Sequence, residues 1–132
     1  MSEFPTVGHV VITVSDLKVS VPWYQRLFGG IEPVLDEDVG PFHHTAWALG
    51  PVLISLHGFK SEHAQPGPAS EFRPGLDHIA FAVANREELE RWGTRLEELG
   101  IEHGKIVDAH YGSGMAFRDP DNIQLEFFAP PS

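Results

Sequence analysis

Cysteine is absent from the 132 residues, which removes disulfides, thiolate metal sites and cysteine nucleophiles together. Basic residues are scarce: 9 Lys and Arg stand against 19 Asp and Glu, for a formal charge of −10. So acidic a chain is a poor match for a nucleic-acid backbone or an anionic membrane surface. No apolar run approaches the roughly 20 residues of a membrane span, and the opening MSEFPTVGH carries no basic-then-apolar leader. These absences set the expectation of a soluble, acidic, cytoplasmic domain. What is present is 42% hydrophobic residues, enough for the core of one domain. There are also 13 Gly and 11 Pro to make turns, and eight histidines.

The chain repeats itself. Gly8-His9-Val10-Val11-Ile12-Thr13-Val14 lies on Asp77-His78-Ile79-Ala80-Phe81-Ala82-Val83 at an offset of 69 residues. The same offset brings Trp23 onto Trp92, Arg26 onto Arg95 and Leu27 onto Leu96. Further on, Val52, Ile54 and Leu56 match Ile123, Leu125 and Phe127. A common order at a near-constant offset points to a duplicated module.

Each half reads as strand, helix, then three strands. Residues 8–14 and 77–83 alternate with period two, as half-buried strands do. In the second half, Asn85 and Glu88 form a capping box ahead of the stripe Leu89, Trp92, Leu96 and Leu99, and Gly100 ends the helix. In the first, Pro22 is expected in the first turn of the helix. Tyr24, Leu27 and Phe28 face its sheet, and Gly29-Gly30 stops it. Strands are expected at 31–38, 42–49 and 51–58, then at 101–109, 113–118 and 123–128. Asp119-Pro120-Asp121-Asn122 makes the turn into the last strand, with Asn tolerant of a left-handed backbone. The fold class is α+β, one domain of two βαβββ modules at 5–58 and 75–130 joined by a linker at 59–74.

Strand alternation sorts the side chains by face. Val10, Ile12 and Val14 take the helix side of the first strand and leave His9 on the other; Ile79, Phe81 and Val83 likewise leave His78. In the last strand Ile123, Leu125 and Phe127 go inward, so Glu126 shares the side of His78. Two imidazoles and a carboxylate with open positions beside them suit a divalent metal such as Fe, Mn, Ni, Co or Zn.

With these residues assigned, the sequence resembles the vicinal oxygen chelate superfamily, also called the glyoxalase/bleomycin resistance/dioxygenase superfamily. The resemblance spans nearly the whole chain. It rests on Gly8-His9-Val10 with Ser15-Asp16-Leu17 and Trp23-Tyr24, on Leu76-Asp77-His78-Ile79-Ala80-Phe81, and on Phe117-Arg118-Asp119-Pro120-Asp121-Asn122 leading to Leu125-Glu126. It implies paired βαβββ modules in a cupped mixed sheet, with a metal that chelates two adjacent oxygens of substrate or intermediate. By position, His9, His78 and Glu126 resemble three of the metal ligands. A homodimer is expected, because the cup of such folds is often completed by a second chain or by exchanged modules.

The resemblance leaves several chemistries. Glyoxalase I-like members carry a metal-binding Glu or His on the last strand of the first module, where this chain has Ser55, with His57 two residues further along. A one-rung shift would bring His57 to the metal; otherwise it stands just beyond, as acid/base. Proton-transfer chemistry of the lyase, isomerase or epimerase kind is favoured. Extradiol dioxygenases have a His where His57 lies and another resembling His110. Their Tyr ten residues before the ligand Glu is here Ala116, for which Tyr111 would have to substitute. A metal-free drug-binding protein of the bleomycin-resistance kind is the third reading. A fosfomycin-modifying enzyme ranks below these, since no basic cluster is available for a phosphonate. Among the remaining residues, His43 and His44 must face opposite sides of a regular strand. His63 and His103 read as surface groups, Trp23 and Trp92 as helix packing, and Trp47 as a candidate cavity wall.

Overall fold

A computed structural model describes residues 4–132. The chain divides into two compact units, the first ending at Gly67 and the second starting at Pro68. The first contains β1 (His9–Thr13), α1 (Leu17–Leu27), β2 (Leu35–Asp38), β3 (Phe42–Leu49) and β4 (Val52–Phe59). The second contains β5 (His78–Ala82), α2 (Arg86–Glu98), β6 (Val107–Ala109), β7 (Gly112–Arg118) and β8 (Gln124–Ala129). Their sheets run β1-β4-β3-β2 and β5-β8-β7-β6. In each the first strand is parallel to the last, and the remaining pairs are antiparallel. This is the α+β architecture of two βαβββ modules that the repeat implied.

The helices form where capping and apolar spacing agree. Asn85 accepts from the Glu88 backbone N–H at 2.9 Å, and the Glu88 carboxylate accepts from the Ala84 N–H at 3.2 Å. Leu89 and Leu96 are fully buried, and Gly100 at φ 74° closes the last turn. α1 differs from expectation. Asp16 caps it by accepting from the Lys18 N–H at 3.0 Å, so Pro22 falls inside the helix rather than in its first turn. Burial of Tyr24 and Leu27 holds the helix across the missing proline N–H. Strands β2 and β6 begin later than their apolar patterns suggested, at Leu35 and Val107.

One face of each sheet makes a core. Ile12, Ile54, Leu56 and Trp47 are at most 5% exposed in the first unit, as are Met115, Phe117, Leu125 and Phe127 in the second. Each fully buried apolar side chain contributes about 1.5–3 kcal/mol. Trp47 is therefore core and not a cavity wall: it has no exposed surface and packs edge-on to Phe28 at 5.4 Å. Trp92 stacks on Phe127 at 4.2 Å, the packing role expected of it. The opposite face carries His9, Ser55 and His57 in the first unit and His78 and Glu126 in the second.

Candidate functional site

In the second unit the register sets His78 opposite Gln124 and Ala80 opposite Glu126, so both candidate ligands lie on one face of adjacent strands. His78 Nε2 is 3.7 Å from Glu126 Oε1. The other ring nitrogen of His78, Nδ1, lies 2.8 Å from the Asp77 carboxylate. That contact orients the ring with Nδ1 on Asp77 and Nε2 toward Glu126. The separation is compatible with a metal ion shared by the two groups. Bonds of about 2.1 Å to a shared metal can span up to about 4.2 Å, and the observed separation lies within that limit.

The sequence makes room for this carboxylate. A Cβ at Gly114 would come within 2.9 Å of Glu126 Oε2, so the glycine leaves room for the side chain to lie across β7 as it does. Ala116, directly opposite Glu126, adds little bulk. A donor set of one oriented imidazole and one cradled carboxylate fits a divalent metal. His9 opens β1 in the first unit, exposed and opposite Leu53. Among the described residues no group of three or more His, Asp or Glu side chains gathers closely enough to hold a metal by itself.

His110 and Tyr111 occupy the turn between β6 and β7. Their rings meet edge-on at 5.2 Å, and Tyr111 lies nearly parallel to Phe128 at 6.2 Å. Phe128 is two residues from Glu126 on the same face, so Tyr111 leans over that face rather than away from it. Gly112 at φ 144° permits the approach, since a Cβ there would strike the Phe128 ring.

In the first unit Ser55 is opposite Val11 and Ala46, just as Glu126 is opposite Ala80 and Ala116. It is the topological counterpart of Glu126. His57 lies opposite Thr13, four residues along β1 from His9, or roughly 13 Å of extended chain. The register keeps Ser55, and not His57, at the place that matches Glu126.

A single lateral row, Thr13, His57, His44 and Glu37, instead crosses all four strands. His44 Nε2 is 3.2 Å from Glu37 Oε1, and the His44 and His57 rings meet edge-on at 5.6 Å. His57 stacks on Phe42 at 4.1 Å. Burial, reinforced by nearby His44, holds the His57 pKa below its ordinary 6.5. The ring is therefore a neutral base near pH 7.

The two adjacent histidines of β3 thus divide: His44 faces His57, while His43 takes the helix side with Asp36 at 2.6 Å. The hydrogen bond with His43 is the largest cause lowering the Asp36 pKa. His103 is not the surface group expected. Its ring nitrogens lie 2.8 Å from the Gly104 carbonyl and 2.8 Å from the Glu97 carboxylate. Two acceptors favour the charged form of the ring and raise its pKa, the carbonyl being the larger cause. One partner is the adjacent residue and the other lies near the end of α2, six residues back, where only the turn after the helix brings it to the ring.

Comparisons with known proteins agree with this architecture. The chain is 28% identical over 122 residues to Metallothiol transferase FosB of Bacillus licheniformis, covering 91% of this chain and 72% of that one. A glyoxylase/bleomycin resistance protein/dioxygenase domain from Frankia sp. EAN1pec superposes with a TM-score of 0.85 at 28% identity, covering 97% and 99% of the two chains. The fosfomycin resistance protein FosX from Listeria monocytogenes shares the fold, with a TM-score of 0.73 at 19% identity and coverage of 97% and 93%. The profile of the Glyoxalase/Bleomycin resistance protein/Dioxygenase superfamily matches residues 6–127, and the chain belongs to that superfamily.

Proposed function

We propose that this chain is a metal-dependent enzyme that moves a proton on a small oxygen-bearing substrate, in the lyase, isomerase or epimerase class. The observation that carries the reading is the His78–Glu126 pair, with Asp77 orienting the imidazole and Gly114 cradling the carboxylate. His78 and Glu126 would hold a divalent ion, with His9 the third ligand by family position. When bound, the ion supplies Lewis-acid stabilisation of negative charge on a substrate oxygen. His57 would accept the substrate proton, because its imidazole stays neutral at pH 7. Tyr111, against Phe128, and the neighbouring His110 would screen the second unit's open face from water.

The relatives named Metallothiol transferase FosB support a metal in general terms. They also favour a second reading, transfer of a thiol to an electrophilic substrate. Against fosfomycin itself stands the one arginine on the ligand face of the second unit. Arg118 is engaged by Glu71 at 2.7 and 3.0 Å and by Gln124 at 2.9 Å. The pairing is strong enough to pull the Glu71 pKa to about 2.

The test is metal content by mass spectrometry on untagged protein purified without oxygen, followed by turnover assays. Nickel, cobalt, manganese or zinc with activity on 2-oxo or thiohemiacetal substrates supports proton transfer. Consumption of fosfomycin only when a thiol is added supports the transferase. Iron with oxygen uptake on catechols would make it a ring-cleaving dioxygenase. Absence of metal after reconstitution overturns the metalloenzyme reading in favour of a binding protein.

A further inference from the structure

The open face of the first sheet holds side chains that metal binding leaves unused. Ser55 is only 7% exposed, and its hydroxyl has no hydrogen-bond partner among the described residues. Ser20 and Trp47 also carry an unpartnered polar atom, but Trp47 lies on the helix side of the sheet and Ser20 in α1, whereas Ser55 is on the open face. Ala46 and Val11 flank Ser55 on the neighbouring strands. Two residues on, roughly 6.6 Å along the strand, the His57 ring lies on Phe42 at 4.1 Å and 18°. Phe59 adds its ring at 6.0 Å from His57 and 5.3 Å from Phe42.

A cavity of about 490 Å³ continues from this surface. Thr13, Pro41, Phe59, His63, Ala64 and Gln65 line it. Thr13 is the rung partner of His57, and Phe59 follows His57 on the same face, so aromatic surface and cavity are continuous. None of the residues that the register places on this face is Lys or Arg, and the Glu37 side chain stands at its outer edge.

We propose that this face is a binding shelf for a planar, oxygen-bearing organic group, an aryl or conjugated carbonyl compound. Ser55 Oγ donates its hydrogen to the ligand oxygen, and Phe42, His57 and Phe59 contact the ring. The proposal rests on the reading of the chain as a small-molecule enzyme and names the substrate class for it. Offset stacking and a single donated hydrogen bond recognise such a group without any cation. A phosphonate dianion finds no counter-charge there and loses its hydration for nothing in return.

The experiment is protein-observed NMR on the full chain, with 4-hydroxyacetophenone as probe and fosfomycin and inorganic phosphate as contrasts. The ketone has no second oxygen next to its carbonyl, so its binding does not depend on chelation. Titrations on protein as purified and after chelator treatment are expected to shift Phe42, His57 and Phe59 resonances alike. Ser55→Ala should weaken binding about tenfold, and Ser55→Thr, which keeps the hydroxyl, should restore most of it. Equal affinity in folded Ser55→Ala overturns the proposal. So do probe shifts confined to residues after Pro68, or fosfomycin moving the same resonances at lower concentration. Shelf binding in a chain that takes up no metal would overturn the metalloenzyme reading and leave the shelf standing.

Discussion

Ser55 and Glu126 occupy the same place in two copies of one scaffold, yet one bears a hydroxyl and the other a carboxylate. Both lie on a central strand, parallel to the first strand of the module and facing an alanine on the next. The neighbouring positions diverge as sharply. Where the second unit has Phe128 opposite Gly114, the first has His57 opposite His44. Gly114 empties the space that the Glu126 carboxylate fills, whereas His44 puts an imidazole at the counterpart position. The helix-facing positions show no such split: Ile54 and Leu56 answer Leu125 and Phe127, all at most 4% exposed. A strand separates its faces, so one side keeps packing while the other changes chemistry. On the proposed reading, the second unit would hold the metal and the first would handle the proton.

The comparison can be broken at its strongest point first. Glu126→Gln and His78→Ala are each expected to abolish stoichiometric metal binding while the circular dichroism spectrum stays native. Retained metal in either variant would remove the division of labour. Next, His57→Ala should keep its metal and lose turnover by about 10²–10⁴-fold, the usual worth of a positioned acid/base; loss of the metal would place His57 among the ligands. Asp77→Ala should weaken metal affinity about 10–100-fold without eliminating it, as removal of an orienting partner does. Calorimetric titration of metal into the stripped protein reads this directly, and an unchanged affinity would make the Asp77 contact incidental.

The smallest effect separates the units by pH. His103 has a raised pKa, so its contribution to stability is present below the unfolded value near 6.5 and lost as pH rises through the folded value. His57 has a lowered one, so its contribution is present above 6.5 and lost as pH falls through the folded value. Urea unfolding between pH 5 and 8 should show His103→Gln flattening the alkaline side and His57→Asn flattening the acid side. The same response in both variants would contradict the opposite environments.

Much of this was readable from residue order. The 69-residue offset announced the duplication because both modules bury the same helix-facing stripe. The Asn85–Glu88 box and the turn at Asp119 were also plain: Asn122 adopts φ 68°, and the Asp119 side chain accepts from the Asp121 and Ile123 N–H groups at 2.8 Å each. Pro22 misled because its missing donor argues for a first-turn position, while Asp16 capping and the burial of Tyr24 decide otherwise. Trp47 misled because an aromatic on a strand has no face until the register is known; opposite buried Ile54, it is core.

Local periodicity by itself determined the two βαβββ modules, the core stripes and the identity of His9, His78, Glu126 and His57 as polar exceptions on apolar strands. These follow from interactions between residues a few positions apart, which spacing encodes. Only the tertiary structure decided which exceptions meet. The parallel pairing of β5 with β8 brings His78 within 3.7 Å of Glu126 across 48 residues of chain. Gly114 becomes a cradle only once β7 lies beside β8, and Ser55 becomes an orphan only when burial removes its water. Register between distant strands is set by the whole hydrophobic pattern at once, and no single segment contains it.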